Sequence, residues 1–110
     1  MKGVYFVTFN NDCEYVKIGM TKDLMQRFGK NTDSPYDFEV LAFREVTNEG
    51  PENLELRTAL EQGYHKLFEE HRHRREWFHL HSDILDVIDY INAESGFEPF
   101  VIRRPLFQSS

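Results

Sequence analysis

Gly3-Val4-Tyr5-Phe6-Val7-Thr8-Phe9 and Glu14-Tyr15-Val16-Lys17-Ile18-Gly19 are two short apolar-rich runs, separated by the turn-forming residues Asn10-Asn11-Asp12. Runs of β-branched and aromatic residues on either side of such a loop read as a β-hairpin over about 3–9 and 14–19. Gly19, at the end of the second run, signals a turn or a close approach of backbone. Thr21 then supplies a cap for a helix over about 22–30. Leu24, Met25 and Phe28 are its apolar positions, and Arg27 projects from a different side than Phe28. A tyrosine on one strand, a glycine closing the next and an arginine two helical turns on therefore have a route to one spot.

Outward from this hairpin, residues 31–36 form a polar loop containing Ser34-Pro35. Residues 38–46 read as a third strand, with Phe38, Val40 and Ala42 on one face and Leu41 and Phe43 on the other. Asn48-Glu49-Gly50-Pro51 breaks the chain, and Pro51 suits the first turn of a helix over about 52–71. Leu56, Leu60, Tyr64, Leu67 and Phe68 make that helix's apolar stripe, Glu61, His65 and Glu69 lie along another side, and Gly63 suggests close packing. A last helix starts with Ser82 as N-cap and Asp83 in its first turn, buries Ile84, Val87, Ile88 and Ile91, and turns Asp86 and Asp89 to water. The expected class is α+β, a small three-stranded, mainly antiparallel sheet flanked by about three helices. One domain would occupy residues 1–95. The 96–110 tail, with Phe100-Val101-Ile102, would add an edge strand, pack on a partner or fray.

A chain of 110 residues has room for one modest core. Its 40% apolar and 29% charged content excludes disordered and fibrous classes, and ten phenylalanines make aromatic packing the main filler. No apolar run approaches the roughly 20 residues of a membrane span, and Met1-Lys2-Gly3-Val4 lacks a signal-peptide pattern. With a single Cys13, which has no partner for an internal disulfide and no obvious His for thiol chemistry, the chain reads as intracellular. A net charge of −6 opposes indiscriminate binding to nucleic acid. Lys66, Arg72, Arg74 and Arg75, with His65, His71 and His73, nevertheless form a local basic strip that could meet a phosphate backbone. The five histidines from His65 to His81 lack the cysteines and the spacing of a structural zinc site. Glu76 precedes Trp77-Phe78, whose rings can bury and fix it; the plainer alternative is an ion pair with Arg74 or Arg75 at a strand end.

Gly3-Val4-Tyr5, Lys17-Ile18-Gly19 and Arg27, eight residues after the glycine, resemble the GIY-YIG nuclease superfamily. Val-Lys-Ile-Gly-x-Thr over residues 16–21, with Arg75-Glu76-Trp77-Phe78, is similar to its phage-associated branch, and the likeness covers about residues 3–92. The resemblance implies a metal-dependent endonuclease acting on DNA. Tyr5 would be the general base, Arg27 the phosphate clamp and Glu76 the single protein ligand for Mg²⁺ or Mn²⁺. Lys17 stands where the superfamily name has a tyrosine, and would lower the Tyr5 pKa from its ordinary value of about 10. Tyr15 would partly replace the missing second phenol, Gly19 would let the chain enter the helix beside the site, and His65 would line the cleft. The asparagine many relatives carry after the glutamate is not evident here. Two other classes stay open: a nucleic-acid-binding module that binds without metal, and a protein-interaction domain whose partner docks on the tail or the last helix.

Overall fold

A strand that is apolar on both faces belongs in the middle of a sheet, and Gly3–Phe9 (β1) is buried from Gly3 through Thr8. It pairs antiparallel with Tyr15–Thr21 (β2) on one side and with Phe38–Glu45 (β3) on the other. The computed structural model describes residues 1–9, 12, 14–30 and 37–103; Cys13, the loop over 31–36 and the tail beyond Arg103 lie outside the described residues. Three further strands extend the sheet: Arg72–Arg74 (β4), Trp77–His79 (β5) and Phe100–Ile102 (β6). The order is β4-β5-β2-β1-β3-β6, antiparallel throughout. The three-stranded sheet expected from the sequence is therefore corrected to six strands, within the α+β class. Each added strand is three residues long, too short for an alternation pattern. What makes it a strand is a ladder with β2, β3 or a neighbouring short strand.

Pro51–Leu67 (α1) and Ser82–Ser95 (α2) cover one face of the sheet, where Val4, Phe6, Val16, Ile18 and Phe78 meet Tyr64, Phe68, Ile84, Ile88 and Ile91. On the other face Tyr5, Val7, Val40 and Phe43 meet Leu24, Phe28, Phe38 and Ile102. The segment after β2 is helical from Leu24 and becomes a π-helical turn over Gln26–Lys30, while a 3₁₀ turn, Glu69–His71, follows α1. No helix among the described residues is long and apolar enough to cross a membrane.

Simple alternation fails along β3. The register with β1 shifts between Phe6 and Val7, which pair with Ala42 and Val40 and leave Leu41 as a bulge. Ala42 consequently joins Leu41 on the helix-covered face, and Phe43 joins Phe38 and Val40 on the opposite one. The Leu41 carbonyl is taken by the Asn92 side-chain amide of α2 at 2.9 Å.

The stripe expected on α1 is also displaced. Leu56 and Leu67 are exposed, and the buried positions are Asn53, Arg57, Tyr64 and Phe68. Two of these are polar, and both are satisfied. Asn53 Nδ2 donates to the carbonyls of Val46 (2.8 Å) and Asn48 (2.7 Å), and Arg57 Nε donates to Asn53 Oδ1 at 2.6 Å. A buried amide whose bonds are all made does not carry the desolvation penalty that would have kept it outside. Gly63, expected in a tight contact, faces open space with nothing within 4 Å of an added Cβ. Gly63→Ala should therefore raise stability by about 0.5–1 kcal/mol, by removing backbone freedom from the unfolded chain. A urea titration reads this as a higher midpoint; an unchanged or lower midpoint would mean that the helix tolerates no side chain there.

Candidate functional site

Gly19 of β2 stands directly across the ladder from Tyr5 of β1. Directly opposed residues project to the same face, so the missing side chain leaves a hollow under the tyrosine ring. Two groups fill it. A methyl on Gly19 would collide with the Tyr5 hydroxyl, and would fall 2.6 Å from Tyr5 Cζ and 2.5 Å from Glu76 Oε1. Glu76 arrives in the two-residue turn between β4 and β5, where Arg75 adopts a left-handed backbone with φ of 54°. The Glu76 carbonyl accepts the Ile18 N–H at 2.9 Å, which ties the turn to β2. No ion pair joins Glu76 to Arg74 or Arg75 among the described residues.

The π-helical turn brings the remaining pieces. Phe28 meets the Tyr5 ring edge-on, with centroids 4.9 Å apart, and the adjacent Arg27 hydrogen-bonds the Tyr5 hydroxyl. Asp23, one turn before Arg27, uses its carboxylate to accept the Gln26 N–H. Lys17 is half-buried, opposite Val7 on β1 and Trp77 on β5. Tyr5, Lys17, Arg27 and Glu76, which the sequence scatters over more than seventy positions, thus share one electrostatic environment.

That environment does not activate the phenol in the way expected. Burial and then the Glu76 charge push the Tyr5 pKa up to about 12, and Arg27 only partly opposes them through its charge and its hydrogen bond. The net direction is upward, opposite to the lowering that the resemblance implied through Lys17. Lys17 is itself shifted down, chiefly by burial and also by Arg27, against the attraction of Glu76.

Glu61 is the residue that sequence reasoning left on a polar helix side. Its carboxyl pKa is raised by burial and by Glu76, against the lowering effects of His65 and of a hydrogen bond from the Met20 backbone. One turn further along α1, His65 Nε2 donates to the Ile18 carbonyl at 2.7 Å, so the neutral ring carries its proton there and leaves Nδ1 as an acceptor. The i,i+4 spacing of Glu61 and His65 was the available signal. That their side of α1 faces β2 was not.

The other candidates are dispersed. Tyr15 stands with His73 and His79, at ring distances of 4.6 and 5.2 Å, rather than beside Tyr5. Arg72 is drawn inward, with Nε 2.5 Å from Glu69 Oε2, a second nitrogen on the Arg75 carbonyl, and its guanidinium 5.0 Å over the Phe78 ring. Lys66, Arg74 and Arg75 remain exposed, so the basic strip is broken at its middle. Apart from this, His71, His81 and Asp83 bring three metal-capable atoms within 4.8 Å of one another. Their bonds are already those of a helix cap: His81 Nδ1 accepts the Asp83 N–H (3.1 Å) and His71 Nε2 donates to Asp83 Oδ2 (3.1 Å), which places the α2 cap at His81 rather than Ser82.

Comparison with known families matches residues 2–92 to the T5orf172 domain, a phage-associated domain related to nuclease folds of the GIY-YIG kind. No curated protein and no solved structure matches the chain.

A carboxyl with a raised pKa contributes stability that is complete below the ordinary carboxylate range and is lost as pH rises through its folded-state value. Glu61→Gln should therefore raise the urea midpoint at pH 7 and leave it nearly unchanged at pH 4. Equal shifts at both pH values would separate Glu61 from the charge cluster.

Proposed function

The chain belongs to the T5orf172 domain family, and on that footing we propose that it is a divalent-metal-dependent endonuclease of the GIY-YIG type, hydrolysing DNA phosphodiester bonds. The observation that carries this is the convergence of the Tyr5 hydroxyl and the Glu76 carboxylate over Gly19, with Arg27 bonded to the same phenol.

Each residue then has a task. Arg27, permanently charged and exposed on its turn, offers its remaining N–H groups to the non-bridging oxygens of a phosphate. Glu76, whose charge acts on Glu61, offers hard oxygen donors. One or two carboxylates completed by substrate oxygens and water suit Mg²⁺ or Mn²⁺, and Glu61, raised by burial and to a lesser degree by the Glu76 charge, is a carboxyl that a cation at this spot would help to ionise. Glu76, with Glu61 near it, would hold such a cation, which would supply charge neutralisation on the phosphate and help for the leaving oxygen. Tyr5 takes the proton of the attacking water. The Glu76 charge is the second-largest cause of its high pKa, so balancing that carboxylate moves the phenol toward the useful range while Arg27 keeps pulling in the same direction. Lys17 shares the β2 face on which Tyr5 meets Gly19, and its lowered pKa raises the share of neutral amine, the form able to take a proton.

One observation favours a second reading, a DNA-binding module without turnover: Tyr5 is only 1% exposed, which restricts the access of water to its hydroxyl. Nicking of supercoiled plasmid in Mg²⁺ or Mn²⁺ separates the two. The enzyme reading expects metal-dependent nicking that falls about 100-fold or more in Arg27→Ala, Glu76→Ala and Tyr5→Phe. Absence of nicking, with DNA retention insensitive to Glu76→Ala, would assign the binding module. Absence of both would point to a protein partner on α2 or the tail.

A further inference from the structure

Beside the site lies a group of rings that the proposed chemistry does not use. Alternate residues of β2 share a face, so Tyr15 and Lys17 project to the side on which Tyr5 meets Gly19. Across from them on β5 stand His79 and Trp77. This end of the face borders the buried clusters: Phe9 packs against the cluster around Val40; Tyr15, Lys17 and Trp77 are half-buried, and His73 and His79 are exposed. Phe9 stacks on Trp77, with centroids 5.4 Å apart and planes 24° apart, while Tyr15 lies against His73 at 4.6 Å. These four rings, with Asp12 and Arg74, line a cavity of about 240 Å³. That is below the roughly 300–1,000 Å³ of pockets for drug-sized ligands, and suits a single planar ring system.

Position and charge narrow the occupant. Four residues of strand at about 3.3 Å each place Tyr15 about 13 Å from Gly19, a nucleotide or two along an extended strand. On a domain of net charge −6, this rim carries Arg74 and His73. Asp12, the acid among its described lining residues, uses Oδ1 to accept the Glu14 N–H at 2.8 Å. Aromatic faces beside a cation are the recurring means of holding an unstacked base, and they tolerate any base because every base has a π-face.

Resting on the nuclease reading of the neighbouring site, we propose that the cavity among Phe9, Tyr15, His73 and Trp77 holds one unstacked nucleobase of the strand whose phosphate lies at Arg27. The preferred substrate then carries an unpaired or extruded nucleotide beside the cleaved bond, as single strands, flaps and mismatched junctions do, in preference to continuous duplex.

Trp77 is the single tryptophan, so its fluorescence reports this cavity. The experiment titrates the full chain in EDTA, where turnover plays no part, with a short oligothymidylate and with an abasic deoxyribose-phosphate strand of equal length. The expected result is quenching of Trp77 by the thymidylate, and binding about 5- to 150-fold tighter than to the abasic strand. That margin should shrink in Tyr15→Ala and in His73→Ala; the second variant removes an exposed ring and leaves both buried clusters intact. Arg27→Ala should weaken both strands alike. Equal affinity for the two strands, or a margin unchanged in both variants, overturns the base site while leaving the nuclease reading standing. A preserved margin in a chain that nicks no plasmid removes the enzyme and keeps the base site.

Discussion

Across the β1–β2 ladder, a residue with no side chain faces a buried phenol, and the placement of everything else in the site follows from that vacancy. Tyr5 can lie flat over Gly19 only because no Cβ lifts it away, and the space left beside its hydroxyl admits the Glu76 carboxylate. The same pairing is held from outside by three independent means. Phe28 presses the ring edge-on, the Glu76 carbonyl takes the Ile18 N–H, and His65 takes the Ile18 carbonyl from below. The π-helical turn thus closes on Tyr5, and the β4–β5 turn and α1 close on Ile18 beside Gly19. A shift of any of them would move the hydroxyl and the carboxylate apart.

Burial at this spot has electrostatic consequences that the surrounding charges moderate without removing. Two carboxylates, a phenol, an amine and a guanidinium are crowded into a partly dry space. Tyr5 and Glu61 hold their protons more tightly than in water, while Lys17 holds its proton less tightly. These are the directions expected of groups that resist charging in a low-dielectric setting. Such crowding of perturbed groups is characteristic of functional sites, where a ligand supplies the missing counter-charge. On the open side of the same face stand the rings around Trp77.

Elsewhere the fold resolves local conflicts with single polar side chains. Asn92 takes the bulged carbonyl of Leu41, and Asn53 gathers the loop that enters α1. Each sits where a pattern of apolar residues alone would place a hydrophobe. Each is tolerated because its donors are used inside the protein. The exposed Leu54, Leu56 and Leu67 on α1 are the other side of that exchange, since a helix that buries Asn53 and Arg57 must turn some leucines outward.

The local signals were strong where the elements are long. The β1–β2 hairpin, β3, α1 and α2 follow from alternation, helical spacing and breaker residues, and the order Tyr5, Lys17-Ile18-Gly19, Arg27, Glu76 pointed to one site. The sheet's full width was not readable. Trp77–His79 becomes a strand by bonding to β2, remote in the chain, and carries Arg72–Arg74 with it, while Phe100–Ile102 takes the edge-strand option by bonding to β3. The bulge at Leu41 and the turn of α1 that buries Asn53 were hidden for the same reason: both depend on acceptors and donors that folding brings together. The candidate residues were therefore legible in the sequence, whereas the protonation tendencies of Tyr5 and Lys17, the coupling of Glu61 to Glu76 and the separation of Tyr15 from Tyr5 were decided by tertiary structure. Burial and cross-strand register are properties of neighbours in space, which a linear order of residues does not contain.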